Sequence, residues 1–490
     1  MKKGMKKVAM SAVMGAIVIG CGSFLDKKPI GVESDADFFK TADQAIKATT
    51  AVYDAAAWRF SQEIDEWFLG DICSDDAEKG GANAADWAEL QQLKDFKANA
   101  GNTICFNRWS ELYQGVYRAN LVIANVPGID MEPNLRNRLV AEAKFLRGYF
   151  YFQLVKTFGR VPLITHTLNP DEYCQPRATI QECWAQIEQD LKEAADILPQ
   201  KSAYESADRG RATQGAANAL LAKAYLFQAK WPDALTRAAM VIDSKEYDLE
   251  PKYSDIFTLS HENGIESIFE IQHVYVPTSS YGDENEGQET SIYQGSRKSR
   301  DFTGWGFNCP TQDFVDEFET GDPRLKATVV FDKDIIWENT AWQQVADNSM
   351  SPTKMAARKY MLEYQPAAPD ISNSPANWRA IRFADVLLFH AEAANETGSA
   401  EAALKSLNRV RQRASMSPVT VTEQSALRNA IWHERRVELG LEGHRFFDLV
   451  RQGRAAEVLA KNGFIKGTHE YFPIPQLEMD VCDKLEPNPY

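Results

Sequence analysis

Apolar residues recur at helical spacing over most of the chain, and the clearest stripe is Leu139, Ala143, Leu146, Phe150 and Leu154, closed by Gly159 and Pro162. This pattern predicts a long, one-sided helix. A second stripe runs from Thr213 through Ala217, Leu220, Ala224 and Phe227, and a short Lys230-Trp231-Pro232-Asp233 turn leads into a partner helix over 234–242. Two antiparallel helices joined in this way form an αα-hairpin. The same organisation recurs over 381–414: Leu387, Ala391 and Ala394 stripe one helix, Gly398 breaks it, and Ala403, Leu407, Val410 and Ala414 stripe the next. Between residues 250 and 380 the helical period fails. Glu266 to Gln272 alternates like a strand, followed by a polar loop over 278–288, the segment Phe302-Thr303-Gly304-Trp305-Gly306-Phe307, and a Pro- and Asn-rich tract over 366–377. Loops carried on a rigid helical frame are where binding residues concentrate.

Aligning Leu220-Leu221-x-x-Ala224 with Leu387-Leu388-x-x-Ala391 relates the two hairpins. They resemble tetratricopeptide helix pairs, without the Trp-x-x-Leu-Gly signature or a tandem repeat. The N-terminus follows another logic: Lys2, Lys3, Lys6 and Lys7 precede an uncharged, mostly apolar run over 8–19, too short to span a bilayer. Residues 1–20 are expected to be an export signal. Val18-Ile19-Gly20-Cys21 resembles a lipobox, which makes Cys21 the expected lipidation site. Several acyl chains there would hold a soluble domain on a membrane, and no later stretch is long and apolar enough to cross one.

The 490 residues are 44% hydrophobic and 25% charged, a globular composition. Lys and Arg number 54 against 69 Asp and Glu, giving −15, and the four leader lysines have no acid beside them, so the chain from Cys21 onward carries −19. Such a surface repels phosphate backbones and argues against nucleic acid as a partner. The other six cysteines include no C-x-x-C pair and are sparse for so long a chain, which indicates neither a zinc ribbon nor a disulfide scaffold and leaves room for one or two disulfides after export.

Four ordered blocks carry a resemblance. They are Cys21-Gly-Ser-Phe24-Leu25-Asp26-Lys-Lys-Pro29; Leu146-Arg147-Gly148-Tyr149-Phe150-Tyr151-Phe152 through Phe158-Gly159-Arg160-Val161-Pro162-Leu163; Glu434-Arg435-Arg436-Val-Glu438-Leu439 with Gly443-His-Arg445-Phe446-Phe447-Asp448-Leu449; and Phe472-Pro473-Ile474-Pro475-Gln476-Leu477-Glu478. Together they resemble the RagB/SusD family of outer-membrane nutrient-binding lipoproteins. Only the ending, Glu486-Pro487-Asn488-Pro489-Tyr490, departs from the family pattern. The resemblance implies a mostly α, SusD-like domain over 21–490 with tetratricopeptide-like hairpins. Its helical N-terminal part would span 30–250, its loop-rich binding part with minor β structure 250–380, and its helical C-terminal part 381–490. The resemblance further implies an outer-membrane location, facing the cell exterior and seated over a SusC-like TonB-dependent transporter. Such proteins capture oligosaccharides or, in some branches, peptides and deliver them like a lid; their well-recognised motifs stabilise the frame, whereas ligand contacts fall in variable loops.

Candidate chemistry is sparse. Glu434, Arg435, Arg436 and Glu438 could be read as an acid–base set, but Arg435 and Glu438 lie at i,i+3 on a helix and are expected to pair in a packing network. Val437 stands where a zincin needs its second histidine. No nucleophile elbow, Walker A loop or dinucleotide fingerprint occurs, so no catalytic residue, metal or cofactor is assigned. Asp283-x-Asn285-x-Gly287, with Glu286 and Glu289, reads as a solvated acidic loop because the third calcium-ligand position is a glycine. Aromatics carry the stronger expectation. A sugar ring packs its C–H face on an indole while its hydroxyls need carboxylate or amide partners at the rim. Trp87, in a small-residue polar stretch downstream of Asp71, Asp75, Asp76 and Asn83, and Trp305, between two glycines that would leave both its faces open, are the candidate platform; Trp109 reads as core. The expected function is non-catalytic oligosaccharide capture. The alternatives are peptide capture, an exported two-carboxylate glycosidase, and a tetratricopeptide scaffold for other proteins.

Overall fold

The computed structural model describes residues 38–58, 64–275, 287–297, 304–338, 343–361 and 373–490. The export signal, Cys21, and Asp283, Asn285 and Glu286 of the acidic loop lie outside the described residues; Glu289, at the edge of that loop, is buried.

The longest helices of the N-terminal part among the described residues are α1 Ala42–Ala57, α2 Thr103–Asn125, α3 Pro133–Phe158, α4 Ile180–Ile197, α5 Gln214–Phe227 and α6 Trp231–Asp243. Their starts are written locally. Thr41 with Gln44 and Thr179 with Glu182 close reciprocal capping boxes, and the Asn102 side chain accepts from two backbone N–H groups of α2. The longest helices of the C-terminal part are α7 Phe383–Glu396, α8 Ala400–Arg413, α9 Gln424–Leu439 and α10 Arg445–Arg451. The two hairpins, α5/α6 and α7/α8, stand far apart in sequence, yet α6 packs directly on α7 and makes them one helical layer.

The stripe on α3 was expected to bury one face, but from Ala141 to Phe158 almost every residue is buried, with α1, α2 and α4 around it. The polar residues that made the helix look one-sided are satisfied internally. Arg147 grips Asp190 with two hydrogen bonds of 2.8 and 2.7 Å and reaches Asn120 at 2.8 Å, while Lys156 pairs with Glu66 at 2.6 Å. Trp109 lies in the core as expected.

Among the described residues eight short strands interrupt the helices: β1 Ala77–Gly80, β2 Ser267–Ile271, β3 Phe307–Pro310, β4 Val329–Phe331, β5 Ile335–Glu338, β6 Gln343–Val345, β7 Met355–Ala357 and β8 Trp378–Arg382. They pair antiparallel as β1·β3, β2·β8, β4·β7 and β5·β6. The strand expected over 266–272 is present as β2, but it is buried at four consecutive positions instead of alternating, with α1 and α5 packed against it.

Cys174 and Cys482 form a disulfide across a separation of 308 residues, while Cys73, Cys105, Cys183 and Cys309 are buried thiols. The bridge pins the C-terminal tail, where the Arg177 guanidinium donates to the Glu486 carbonyl at 2.8 Å. Closing so long a loop restricts the unfolded chain, so Cys482→Ser should lower stability by about 2–4 kcal/mol. Urea unfolding with and without a reductant checks this. The reductant should shift the midpoint of the wild type and leave the variant unchanged, and equal responses in both would refute the assignment.

Candidate functional site

The Glu434-to-Glu438 motif on α9 is a buried charge network. Glu438 takes Arg324 at 3.0 Å and Arg382 at 3.0 Å as well as Arg413; Glu434 takes Arg324 at 2.6 Å and Arg411 at 2.8 Å. The intrahelical Arg435–Glu438 pair is not made. Arg435 turns to Asp385 and Asp448 instead, because the buried carboxylates of α7 and α10 reach it from across the interface. Burial raises the Glu438 pKa, but the three surrounding guanidiniums outweigh it and hold the carboxyl well below the usual range.

The same frame positions a loop. Arg436 reaches Asp76 at 2.7 Å and Asp75 at 2.9 Å, and Arg445 reaches Asp75 at 2.8 Å. Asp71 accepts from the Gly443 N–H at 2.9 Å and from the Asn308 amide at 3.2 Å. A Cβ at Gly70 would sit 2.0 Å from the Gly443 carbonyl oxygen, so only glycine permits this approach. Asp71, Asp75 and Asp76 are therefore buried supports of the loop base and not the exposed sugar rim expected of them. Burial pushes Asp71 well above the usual carboxylate range and raises Asp76 against the pull of Arg436; at Asp75, Arg445 and Arg436 outweigh burial and lower the carboxyl.

From this base β1 runs outward and pairs with β3, setting Gly80 opposite Phe307. That register brings Trp87 and Trp305 together. The Gly81 N–H donates to the Gly306 carbonyl at 2.8 Å, a crossing that needs the positive φ of Gly80, Gly81 and Gly306. Lys79 donates to the carbonyls of Asn83 and Asp86 and closes the turn. Arg297 then bridges the two loops, donating to the Trp305 carbonyl at 2.6 Å and standing 3.9 Å from Asp86.

The result is an aromatic arc. Buried Tyr293 is the hub, with Trp87 at 5.5 Å and Trp305 at 4.6 Å between ring centroids; Phe68 and Phe307 stand edge-on to Trp87 at 4.7 and 5.9 Å. Trp87 and Trp305 are the two members left partly exposed. Trp305 does not keep both faces open, since Tyr293 packs against it. Trp87 caps the short helix Ala88–Lys94 with φ of 51°, a left-handed backbone uncommon outside glycine and held here by the packed arc. Asn83 is exposed on the neighbouring turn, where its Oδ1 accepts from the Ala85 and Asp86 N–H groups. Tyr293, Phe68, Phe307 and Arg297 escaped sequence reasoning, although the glycines around 80–81 and 304–306 signalled where two loops would cross.

Among the described residues, the helical frame carries a partly exposed aromatic arc on two crossing loops. Residues 23–226 match the family described as "Starch-binding associating with outer membrane" and residues 265–490 match the SusD family. A solved laminarin-binding SusD-like protein is 32% identical, with a TM-score of 0.82 over 92% of this chain and 99% of its own. Surface glycan-binding protein A from Bacteroides fluxus is 26% identical, with a TM-score of 0.79 over 92% of this chain and 99% of its own. SusD-like protein P2 of Formosa agariphila is 26% identical across 99% of both chains. The chain belongs to the SusD/RagB family.

Proposed function

We propose that this protein is a cell-surface lipoprotein, anchored through Cys21 in the outer membrane, that captures oligosaccharides and passes them unmodified to a SusC-like TonB-dependent transporter. The observation that carries the binding step is the pairing of Trp87 and Trp305 on the Tyr293 hub, two partly exposed indoles anchored on a rigid base. Sugar C–H faces would rest on the indoles, while Asn83, Asp86 and Arg297 lie beside them for the hydroxyls. Binding of laminarin and of surface glycans by relatives of this fold supports a glycan as cargo. The shielded carboxylates of the Glu438 network have no part in chemistry on the cargo.

Titration of the purified protein with a panel of neutral oligosaccharides that includes laminarin fragments tests this reading. Saturable binding is expected, with the glycan recovered intact. Peptide binding together with indifference to every glycan would move the protein to the peptide-capturing branch, and recovery of shortened glycans would make it a hydrolase.

A further inference from the structure

A second opening lies on the helical frame, outside the loops of the arc. It is a cleft of about 470 Å³ between α3, α4, the end of α5, α10 and the C-terminal tail, within the range of ligand sites. Its walls are the rings of Trp184, Phe227, Phe447 and Tyr471. Trp184 and Phe447 are almost wholly buried, whereas Phe227 and Tyr471 are partly open. Among its lining residues none comes from the loops that carry Trp87 or Trp305.

Three hydrogen-bonding atoms of the lining have no partner among the described residues. Gln228 commits its amide N–H groups to Glu188 at 3.0 Å and the Ala224 carbonyl at 3.1 Å, which leaves its Oε1 without a partner among the described residues. The Thr468 hydroxyl and the Tyr471 hydroxyl likewise have none among the described residues. The charged side chains that line the cleft are each engaged. Glu470 turns both carboxylate oxygens to the Gly467 N–H at 2.7 and 2.9 Å, Arg451 is held by Glu392 at 2.8 Å and by Asp448 at 2.8 Å, and Lys156 is paired with Glu66. The tail wall is fixed as well, since the Asn488 amide donates to the Phe158 carbonyl at 3.0 Å and the Phe472 carbonyl at 2.7 Å.

We propose that this cleft is a second glycan subsite that takes an uncharged sugar ring, with its C–H face against Phe227 and Tyr471 and its hydroxyls on Gln228, Thr468 and Tyr471. The proposal rests on the reading of the protein as a glycan binder and deepens it. Neutral hydroxyls and amides over aromatic carbon suit a ligand that is apolar on its faces and hydrogen-bonding at its edges. A site on the frame, separate from the arc, would let one long glycan or two short ones engage the protein at two points and raise its hold through effective concentration.

Calorimetric titration with a laminari-oligosaccharide separates the two sites. A Trp87→Gly/Trp305→Ala variant disables the arc and should keep a weak, saturable component. Thr468→Trp added to it, which fills the cleft, should abolish that component, whereas Thr468→Trp alone should leave the tight component in place. Tyr471→Phe in the arc-disabled background deletes one hydroxyl and should weaken the remaining binding about fivefold. A wild type that binds while the arc-disabled variant is silent overturns the second subsite alone, as does residual binding that Thr468→Trp leaves unchanged. A wild type that ignores the sugar overturns both readings, and an arc-disabled variant that binds as the wild type does, until Thr468→Trp is added, supports the cleft and overturns the arc.

Discussion

Glu438→Gln should cost the fold about 3–5 kcal/mol, the penalty for stripping one partner from a buried ion network. The glutamine keeps the shape of the side chain but leaves Arg324, Arg382 and Arg413 converging on a neutral group, and all three guanidiniums are themselves almost fully buried. The neighbouring carboxylates Glu434, Glu266 and Glu442 are already engaged by the same arginines and cannot take up the surplus. The effect also has a pH signature. Glu438 and Asp448 are held below their ordinary values of 4.5 and 3.8, Asp448 at about 2, so the stability they supply is complete above those ordinary values and is lost as the pH falls toward the folded ones. Urea midpoints from pH 7 down to pH 3 should therefore fall less steeply in the variant, from a lower start. Glu401→Gln on the exposed face of α8 is the control and should move stability by no more than about 0.5 kcal/mol. Equal midpoints for Glu438→Gln and the wild type would show that the network carries no stability.

Much of the frame was legible in the sequence because helical period is a local signal. The stripes of α5 to α8 placed both hairpins. What was not legible depends on long-range pairing. Arg147 and Lys156 look like a solvated face until Asp190 and Glu66 arrive from elsewhere in the chain. Asp71, Asp75 and Asp76 likewise resemble a ligand rim in sequence, since nothing local shows that Arg436, Arg445 and the Gly443 N–H will cover them. The two tryptophans of the arc were singled out for their small, polar neighbours. Their juxtaposition, and the Tyr293 hub beneath them, follow from the β1·β3 register across more than two hundred residues, which no periodicity encodes.

Trp87→Gly and Trp305→Ala should each weaken glycan binding by about 30-fold or more, the loss of roughly 2 kcal/mol that marks a dominant aromatic contact. Glycine is the informative replacement at position 87 because the backbone there sits at φ of 51°, which alanine would adopt only under strain. The substitution thus deletes the ring and keeps the turn, with its Lys79 and Asp86 hydrogen bonds, intact. Trp432 provides the control. It is a partly exposed indole on the frame, bonded to Glu392 at 3.0 Å, and Trp432→Ala removes comparable surface away from the arc. Arg297→Ala should fall between them, because it loosens the bridge between the two loops without removing either ring. Affinities measured beside thermal midpoints separate lost contact from lost fold. If Trp432→Ala weakens binding as much as the arc variants do, the two indoles have no special part in recognition, and the aromatic arc is only the packed end of the frame.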